Sequence, residues 1–180
     1  HALVEQAAAA NAPAGSIEGK IADIWRTGMD EAAINRAGLA PLQPQLKAID
    51  GLHDGKAVAA WLRDRYAQGQ GFLFSFGANA DYKDSGQVIA YAGQGGLGLP
   101  EKGYYFDESQ AKIRDAYVQY ITRVLELGGA QPAQAAAQAK AVMAFETRLA
   151  NASLSRIELR DPAKRYNPVS AAQANAITPH

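Results

Sequence analysis

Apolar residues recur at helical spacing over most of the chain, while one central stretch alternates instead. An alanine-rich helix is predicted over residues 2–10. A second helix is predicted to begin after Ser16, a favourable N-cap residue, and to end at Gly28. Its apolar face consists of residues spaced at i, i+4, i+7 and i+8: Ile17, Ile21, Ile24 and Trp25.

Over the next forty residues, the pattern predicts shorter helices that are separated by glycine and proline residues. A short helix is predicted over residues 30–36, ending at Gly38, and Pro41 with Pro44 predicts a turn. Asp54 is then predicted to cap a further helix. That helix is expected to bury four residues: Val58, Trp61, Leu62 and Tyr66.

The alternating stretch predicts β-structure. Phe72, Phe74 and Phe76 fall on one side of an extended segment, and residues 87–91 form a second strand-like run. The polar residues 79–86 lie between the two runs. We therefore predict one long-looped antiparallel β-hairpin at about 72–92 in a helical lobe, so that the fold class is mainly α.

Two long helices are predicted after the hairpin. Asp107 and Gln110 have the spacing of a capping box before the first, which Gly128 and Gly129 end. Pro132 suits the first turn of the second, which runs to about residue 152. The second helix is expected to bury three apolar residues: Val142, Phe145 and Leu149. A last short helix is predicted after Ser170.

The amino-acid composition indicates the class of protein and excludes several kinds of partner and site. Apolar residues make up 48% of the 180 and charged residues 20%, which is typical of a soluble globular protein. Eighteen basic and eighteen acidic residues balance, so no general attraction to nucleic acid is expected. Cysteine is absent, which excludes disulfides and thiolate metal sites. No apolar run reaches the length of about 18 residues that a membrane span needs, so none is predicted.

The glycine-rich run after the second strand has two readings. Residues 93–98 match G-x-G-x-x-G, the pattern of a dinucleotide phosphate loop. That function requires a helix to open inside the motif, whereas Pro100 follows and the next predicted helix waits until about Asp107. We therefore interpret the run as a structural connector that leaves the hairpin.

Other candidate chemistry is sparse. The histidines are His1, His53 and His180, and no H-E-x-x-H occurs, so no helix presents two histidines to zinc. Glu146 is interpreted as a solvated or tail-contacting carboxylate that does not face Arg148. A basic group near the end, interleaved with Glu158 and Asp161, is interpreted as salt-bridging and capping residues: Arg156, Arg160, Lys164 and Arg165. We predict no catalytic, cofactor-binding or metal-binding residue in this chain.

Several stretches together resemble a known family. The run 94–100, followed by Tyr104 and Tyr105, resembles the "GLGLP…YY" segment of the neprilysin and endothelin-converting-enzyme family of zinc metallopeptidases. The helix from residue 113 to 127 is similar to the one that follows in that family. Residues 145–150, with Arg160-Asp161-Pro162 and Tyr166-Asn167 after them, resemble its "fE..LA……RDP…YN" stretch.

An upstream stretch also resembles this family. Met29-Asp30 with Pro41-Leu42 is similar to its "CMD……PL" region, although the cysteine is missing here. The likeness extends over most of the chain from about residue 16.

The resemblance implies a role for a longer parent polypeptide. Relatives of this kind are zinc endopeptidases that cleave peptides, with two mostly helical lobes around a chamber. Their H-E-x-x-H, E-x-x-x-D and Asn-Ala-aromatic motifs are all absent here. Residues 1–180 are therefore expected to be a single fragment of the N-terminal helical region, inactive alone, with zinc held by a downstream catalytic domain.

The resemblance implies partners and a location as well. The expected partners are the downstream catalytic domain of the same polypeptide and the peptide substrates of the parent. The first residue, His1, and the last, His180, are read as the ends of a piece of something longer. A soluble, periplasmic or secreted location is expected, because bacterial relatives are often exported. The alternative is a non-enzymatic helical binding or interaction module.

Overall fold

The computed structural model describes residues 1–178, which divide into two compact units at Gly51 and Leu52. The first unit is helical throughout. Its elements, in chain order, are helices α1 (Ala2–Ala9), α2 (Ile17–Met29) and α3 (Glu31–Ala37), a 3-10 turn (Ala40–Leu42) and helix α4 (Gln43–Asp50).

Local hydrogen bonds explain where the helices of the first unit begin. The Ser16 hydroxyl accepts a hydrogen bond from the Gly19 amide at 3.0 Å, which confirms the predicted N-cap of α2. The Asp30 carboxylate caps α3 in the same way, through the Ala33 amide at 2.8 Å. Gly38, with φ +49°, ends α3 as predicted.

One expectation for the first unit is wrong. Gly28 does not end α2, because the helix continues to Met29 and gives way directly to the capped start of α3. Of the two prolines predicted to mark a turn, Pro41 lies in the 3-10 turn and Pro44 lies in the first turn of α4. A proline is tolerated there because the first amides of a helix have no intrahelical acceptor.

The second unit combines helices with one β-hairpin. Its elements are α5 (Gly55–Ala67), β1 (Phe74–Ala80), β2 (Val88–Gln94), α6 (Gly103–Phe106), a 3-10 turn (Glu108–Gln110), α7 (Ala111–Leu127), α8 (Pro132–Ala152), a 3-10 turn (Glu158–Arg160), α9 (Pro162–Arg165) and α10 (Ala171–Ile177). The prediction of a mainly α fold with one hairpin is confirmed.

The hairpin is antiparallel, with Phe74 opposite Gln94 and Ala80 opposite Val88. It lies about two residues later than predicted. The Tyr66 side chain of α5 fixes its start, because the hydroxyl donates to the Phe74 carbonyl at 2.6 Å and accepts from the Phe74 amide at 3.0 Å. The Tyr66 ring also stacks on the Phe74 ring at 4.5 Å. Of the stripe that α5 was expected to bury, Val58 is exposed.

Helices α7 and α8 pack against each other through a face that the sequence analysis misplaced. Val142 and Phe145 were expected to be buried, but 37% and 44% of their surfaces are exposed. The buried face of α8 is the neighbouring one, so that Glu146 is buried in place of Phe145. Its buried residues are Ala135, Ala139, Glu146 and Ala150. Small alanines allow the close approach of another element, and the larger side chains are left on the adjoining face.

The predicted capping box before α7 is also wrong. The Asp107 side chain caps no amide, and a 3-10 turn intervenes before α7 begins at Ala111. A capping box does form at Ser170 and Gln173, where it starts the predicted last helix.

The small core of the second unit lies where the segment after β2 crosses the α7–α8 pair. Its buried members are Leu99, Tyr105 and Ala150, against which Tyr117 and Met143 pack. Within residues 1–178, no large side chain falls below 2% exposure. None of the helices in this part of the chain is long and apolar enough to cross a membrane.

Candidate functional site

A buried carboxylate organises the centre of the second unit. Glu146, on α8, is 8% exposed and accepts hydrogen bonds from three donors. Oε2 accepts from the Gly98 amide at 3.1 Å and from the Tyr105 hydroxyl at 2.6 Å. Oε1 accepts from the Tyr117 hydroxyl at 2.9 Å. The interpretation of Glu146 as a solvated carboxylate is therefore wrong: it joins the segment after β2, helix α6 and helix α7.

The two tyrosines of this network are held in their neutral, donating form. Burial, reinforced by the hydrogen bond to the Glu146 carboxylate, raises the pKa of Tyr117 to about 12. The same two causes raise the pKa of Tyr105 further above its ordinary value. The Tyr105 hydroxyl also accepts from the Leu99 amide at 3.0 Å, so one side chain connects the carboxylate to the main chain.

The glycines before Pro100 are required by close packing. A Cβ on Gly98 would overlap the Tyr117 hydroxyl, and one on Gly96 would lie 2.9 Å from Leu73 main-chain atoms. Gly96 also has φ +76°, a conformation that favours glycine. No helix opens inside the G-x-G-x-x-G run, since α6 begins at Gly103. This geometry supports the interpretation of the run as a structural connector.

Two adjoining clefts lie beside this connector. The larger has a volume of about 780 Å³, between the chain at 94–101 and the segment 153–159. The smaller, of about 550 Å³, lies between residues 101–107 and the segment 151–157. Glu101 and Arg156 line both.

Of the histidines, His1 belongs to the first unit and His53 to the second. His53 is exposed in the segment before α5, His1 is exposed at the start of α1, and His180 lies outside the described residues. Within residues 1–178, no three histidine, aspartate or glutamate side chains are grouped so that they could hold a metal ion. The residues of this part of the chain therefore do not fit the zinc that the family resemblance implies.

The basic group near the end is only partly paired. Lys164 forms an ion pair with Glu158 at 3.1 Å, and Asp161 caps α9 by accepting from the Ala163 amide. The Ser155 amide and hydroxyl, together with Lys164, lower the pKa of Glu158 to about 2. Arg156 forms no ion pair within the described chain.

A second cluster missed by the sequence analysis joins the hairpin tip to the segment after α9. The Tyr166 hydroxyl donates to the Asp81 carboxylate at 3.0 Å. Lys83 lies 4.8 Å from the centre of the Tyr166 ring. The Lys83 amide, which bonds to Asp81, is the main cause of the lowered pKa of that carboxyl. Sequence alone gave no signal for a contact across 85 residues.

Comparison with known proteins identifies the class. Residues 1–180 match the N-terminal profile of peptidase family M13. Endothelin-converting enzyme-like 1 from Rattus norvegicus is 32% identical over 93% of this chain and 23% of its own length. Endothelin-converting enzyme 1 from Cavia porcellus is 27% identical over 86% of this chain and 22% of its own length.

A solved structure supports the same family. The Mycobacterium tuberculosis zinc metalloprotease Zmp1 in complex with an inhibitor superposes with a TM-score of 0.85 and 34% identity, over 97% of this chain and 27% of that one. The chain therefore belongs to peptidase family M13, as the resemblance implied. It spans about a quarter of the length of these relatives.

Proposed function

We propose that this chain is a non-catalytic part of the wall of the reaction chamber in a zinc metalloendopeptidase that cleaves peptides. The chemistry and the zinc would be supplied by the downstream catalytic domain of the same polypeptide. Family membership supports the peptidase assignment for the parent. The expectation that residues 1–180 are a single non-catalytic fragment belongs to the same proposal.

The observation that carries this proposal is the apolar surface of the second unit. Both long helices and β1 have large apolar side chains exposed, including Val124 at 46%, Phe145 at 44% and Phe76 at 62%. Exposed apolar surface of this extent is typical of a part whose core is completed by further polypeptide. Since the relatives are about four times longer, we assign that role to the remainder of the parent.

The dimensions of the long helices suit a wall. At about 1.5 Å per residue, α7 and α8 extend for about 25 Å and about 31 Å. The network around Glu146 would hold them together with the connector after β2 as one rigid surface. A closed chamber of this kind would admit short flexible peptides and exclude folded proteins, while contacts align the substrate.

The test compares two substrates with the full-length parent. One is a short peptide, and the other is a folded protein with the same cleavable sequence in an exposed loop. The peptide should be cleaved much faster, and unfolding the protein substrate should restore cleavage. Equal rates on the peptide and on the folded protein would refute the chamber. So would a parent lacking residues 1–180 that stays folded and keeps its rate and size limit.

The competing function is a non-enzymatic helical binding module. It predicts that the parent has no H-E-x-x-H and hydrolyses no peptide. The sequence of the parent and one peptide digest therefore decide between the two functions.

A further inference from the structure

Helix α7 has three distinct stripes of side chains along its length. The first is packed against the second unit and consists of partly buried residues: Arg114, Tyr117, Val118, Ile121, Thr122 and Leu125. The second is polar and mostly exposed: Lys112, Asp115, Gln119, Arg123 and Glu126. The third is apolar and exposed: Ile113, Ala116, Tyr120, Val124 and Leu127. Since an α-helix turns by about 100° per residue, each set occupies its own sector. The exposed apolar side chains of α7 are therefore gathered on one face.

The apolar stripe of α7 continues onto α8. Tyr117 borders this stripe, because its ring lies 6.5 Å from the ring of Tyr120. The Tyr117 hydroxyl bonds to Glu146 of α8, and the exposed residues Val142 and Phe145 lie within one turn of Glu146. The exposed apolar residues of the two helices therefore lie on the same side of the pair. We call this surface the α7–α8 seam, and its residues are Ile113, Tyr120, Val124, Leu127, Val142 and Phe145.

The spacing along the seam is that of a helix-packing surface. On α7, five residues follow one another in steps of four and three: Ile113, Tyr117, Tyr120, Val124 and Leu127. These steps keep the side chains in line over about 21 Å, and side chains of a second helix with the same steps fit between them. None of the five is charged, whereas the neighbouring polar stripe carries four charged residues. The apolar and charged residues of α7 are therefore separated as in a helix that has a helical neighbour on one side and water on the other.

The seam suits a permanent neighbour better than a substrate. A substrate site is uncovered in every turnover, and it needs several polar groups to orient its ligand. The seam offers one polar side-chain group, the hydroxyl of Tyr120, and its centre is widely exposed, with Tyr120 at 64% and Leu127 at 60%. Permanent interfaces are more apolar than those that form and dissociate. The chain spans about a quarter of the length of its relatives, so a longer parent has ample polypeptide to supply the neighbour.

We propose that an amphipathic helix from the parent polypeptide outside residues 1–180 packs along the α7–α8 seam as a third helix. Its apolar residues would follow the same steps of three and four and would cover Tyr120, Val124 and Leu127. The polar stripe of α7 would remain in water. The seam side of the pair would then face the interior of the lobe, so that a different side of the wall would contact substrate. This inference rests on the part of the proposed function that gives the chain a longer parent, and not on peptide hydrolysis.

Cysteine labelling of the full-length parent tests whether the seam is covered. Tyr120 and Gln119 are neighbours on α7, and both are exposed within the described chain. Tyr120→Cys and Gln119→Cys are prepared separately, and alkylation of each is followed by mass spectrometry of the peptide that contains it. Tyr120→Cys should react at least about tenfold more slowly, because labelling then requires a local opening. Equal rates in the folded parent would overturn the inference, and equal rates in urea are the control.

Photocrosslinking of the full-length parent tests what covers the seam. The crosslinking residue p-benzoylphenylalanine replaces Tyr120, with replacement of Gln119 as the matched control. Position 120 should crosslink within one chain to a single segment outside residues 1–180 whose apolar residues recur in steps of three and four. Position 119 should not crosslink to that segment. A crosslink from position 120 to a second copy, to an added substrate peptide or to residues 1–51 would overturn the inference, as would the absence of any crosslink.

The outcomes separate this inference from the proposed function, because neither measurement requires turnover. A parent that cleaves no peptide, but whose seam is protected and crosslinks to its own helix, refutes the peptidase and leaves the third helix standing. A parent that cleaves peptides, but whose Tyr120→Cys variant reacts as fast as Gln119→Cys, overturns the third helix and leaves the peptidase standing.

Discussion

Replacing Glu146 should loosen the connector after β2 in a graded way. The carboxylate has three donors and no cationic partner among the described residues, so its contribution comes from charge-assisted hydrogen bonds. Glu146→Gln keeps the size of the side chain and removes the charge. The amide oxygen can still accept from Gly98 and Tyr105, with each bond weaker by about 1 kcal/mol. The amide nitrogen cannot accept from the Tyr117 hydroxyl, which must turn and accept instead. Easier burial of the neutral amide offsets part of this loss. We expect a net cost of about 1–2 kcal/mol.

Glu146→Leu should cost more because it leaves donors without an acceptor. The Tyr105 hydroxyl is buried and has no access to water, while Gly98 is exposed and its amide can be hydrated. The Tyr105 hydroxyl would lose its acceptor completely, while the Gly98 amide and the Tyr117 hydroxyl could partly turn to water. Together these losses should lower the free energy of unfolding by about 3–4 kcal/mol. The loss of stability should therefore be larger in Glu146→Leu than in Glu146→Gln, and both variants should be less stable than the unaltered protein.

The two tyrosines provide an internal comparison. Tyr117→Phe removes one hydrogen bond, for a cost of about 1 kcal/mol. Tyr105→Phe removes the bond to Glu146 and also orphans the amide of Leu99, which is 7% exposed, so about 2–3 kcal/mol is expected.

Hydrogen exchange of residues 95–106 in the parent measures these costs locally, since about 1.4 kcal/mol corresponds to a tenfold loss of protection. Equal protection in the two tyrosine variants, or no loss in Glu146→Leu, would refute this account of the network.

Three further outcomes follow from single contacts. Gly98→Ala should destabilise the fold measurably in urea, because its Cβ overlaps the Tyr117 hydroxyl, whereas Gly77→Ala, with nothing within 4 Å, should not. The pKa of Tyr117 rises from 10.0 to about 12 on folding, so stability should fall between pH 10 and 12, and less so in Tyr117→Phe. The pKa of Glu158 falls from 4.5 to about 2, so its contribution should be lost as pH drops through that range. Ser155→Ala should shift that acid titration back toward 4.5, as measured by NMR of the labelled carboxyl.

Features that depend on a few neighbouring residues were predictable from sequence. The caps at Ser16 and Asp54 form because a side-chain oxygen reaches an amide three residues on. Gly129, with φ +100°, follows the end of α7 as its position predicted. The hairpin was also predictable, since an alternating pattern occurs only once.

Features that depend on a distant partner were not predictable. The buried face of α8 was misplaced by one position, because the choice between Phe145 and Glu146 is made by what packs against the helix. Apolar character favours Phe145, but the donors on Gly98 and Tyr117 favour the carboxylate. Those donors lie 48 and 29 residues away. No local pattern brings them together.

The same network gives a physical role to the residues of this chain that resemble the family's "GLGLP" motif. Gly98 is glycine because Tyr117 occupies the space of a Cβ, and its amide binds Glu146. The amide of the next residue, Leu99, binds the hydroxyl of Tyr105, one of the two tyrosines that follow the motif. The glycines, the tyrosine pair and the glutamate of the "fE" stretch are therefore one packing unit written in three separate parts of the sequence. In this chain, the residues that resemble the family's motifs therefore serve packing, which is why the resemblance holds although no catalytic motif is present.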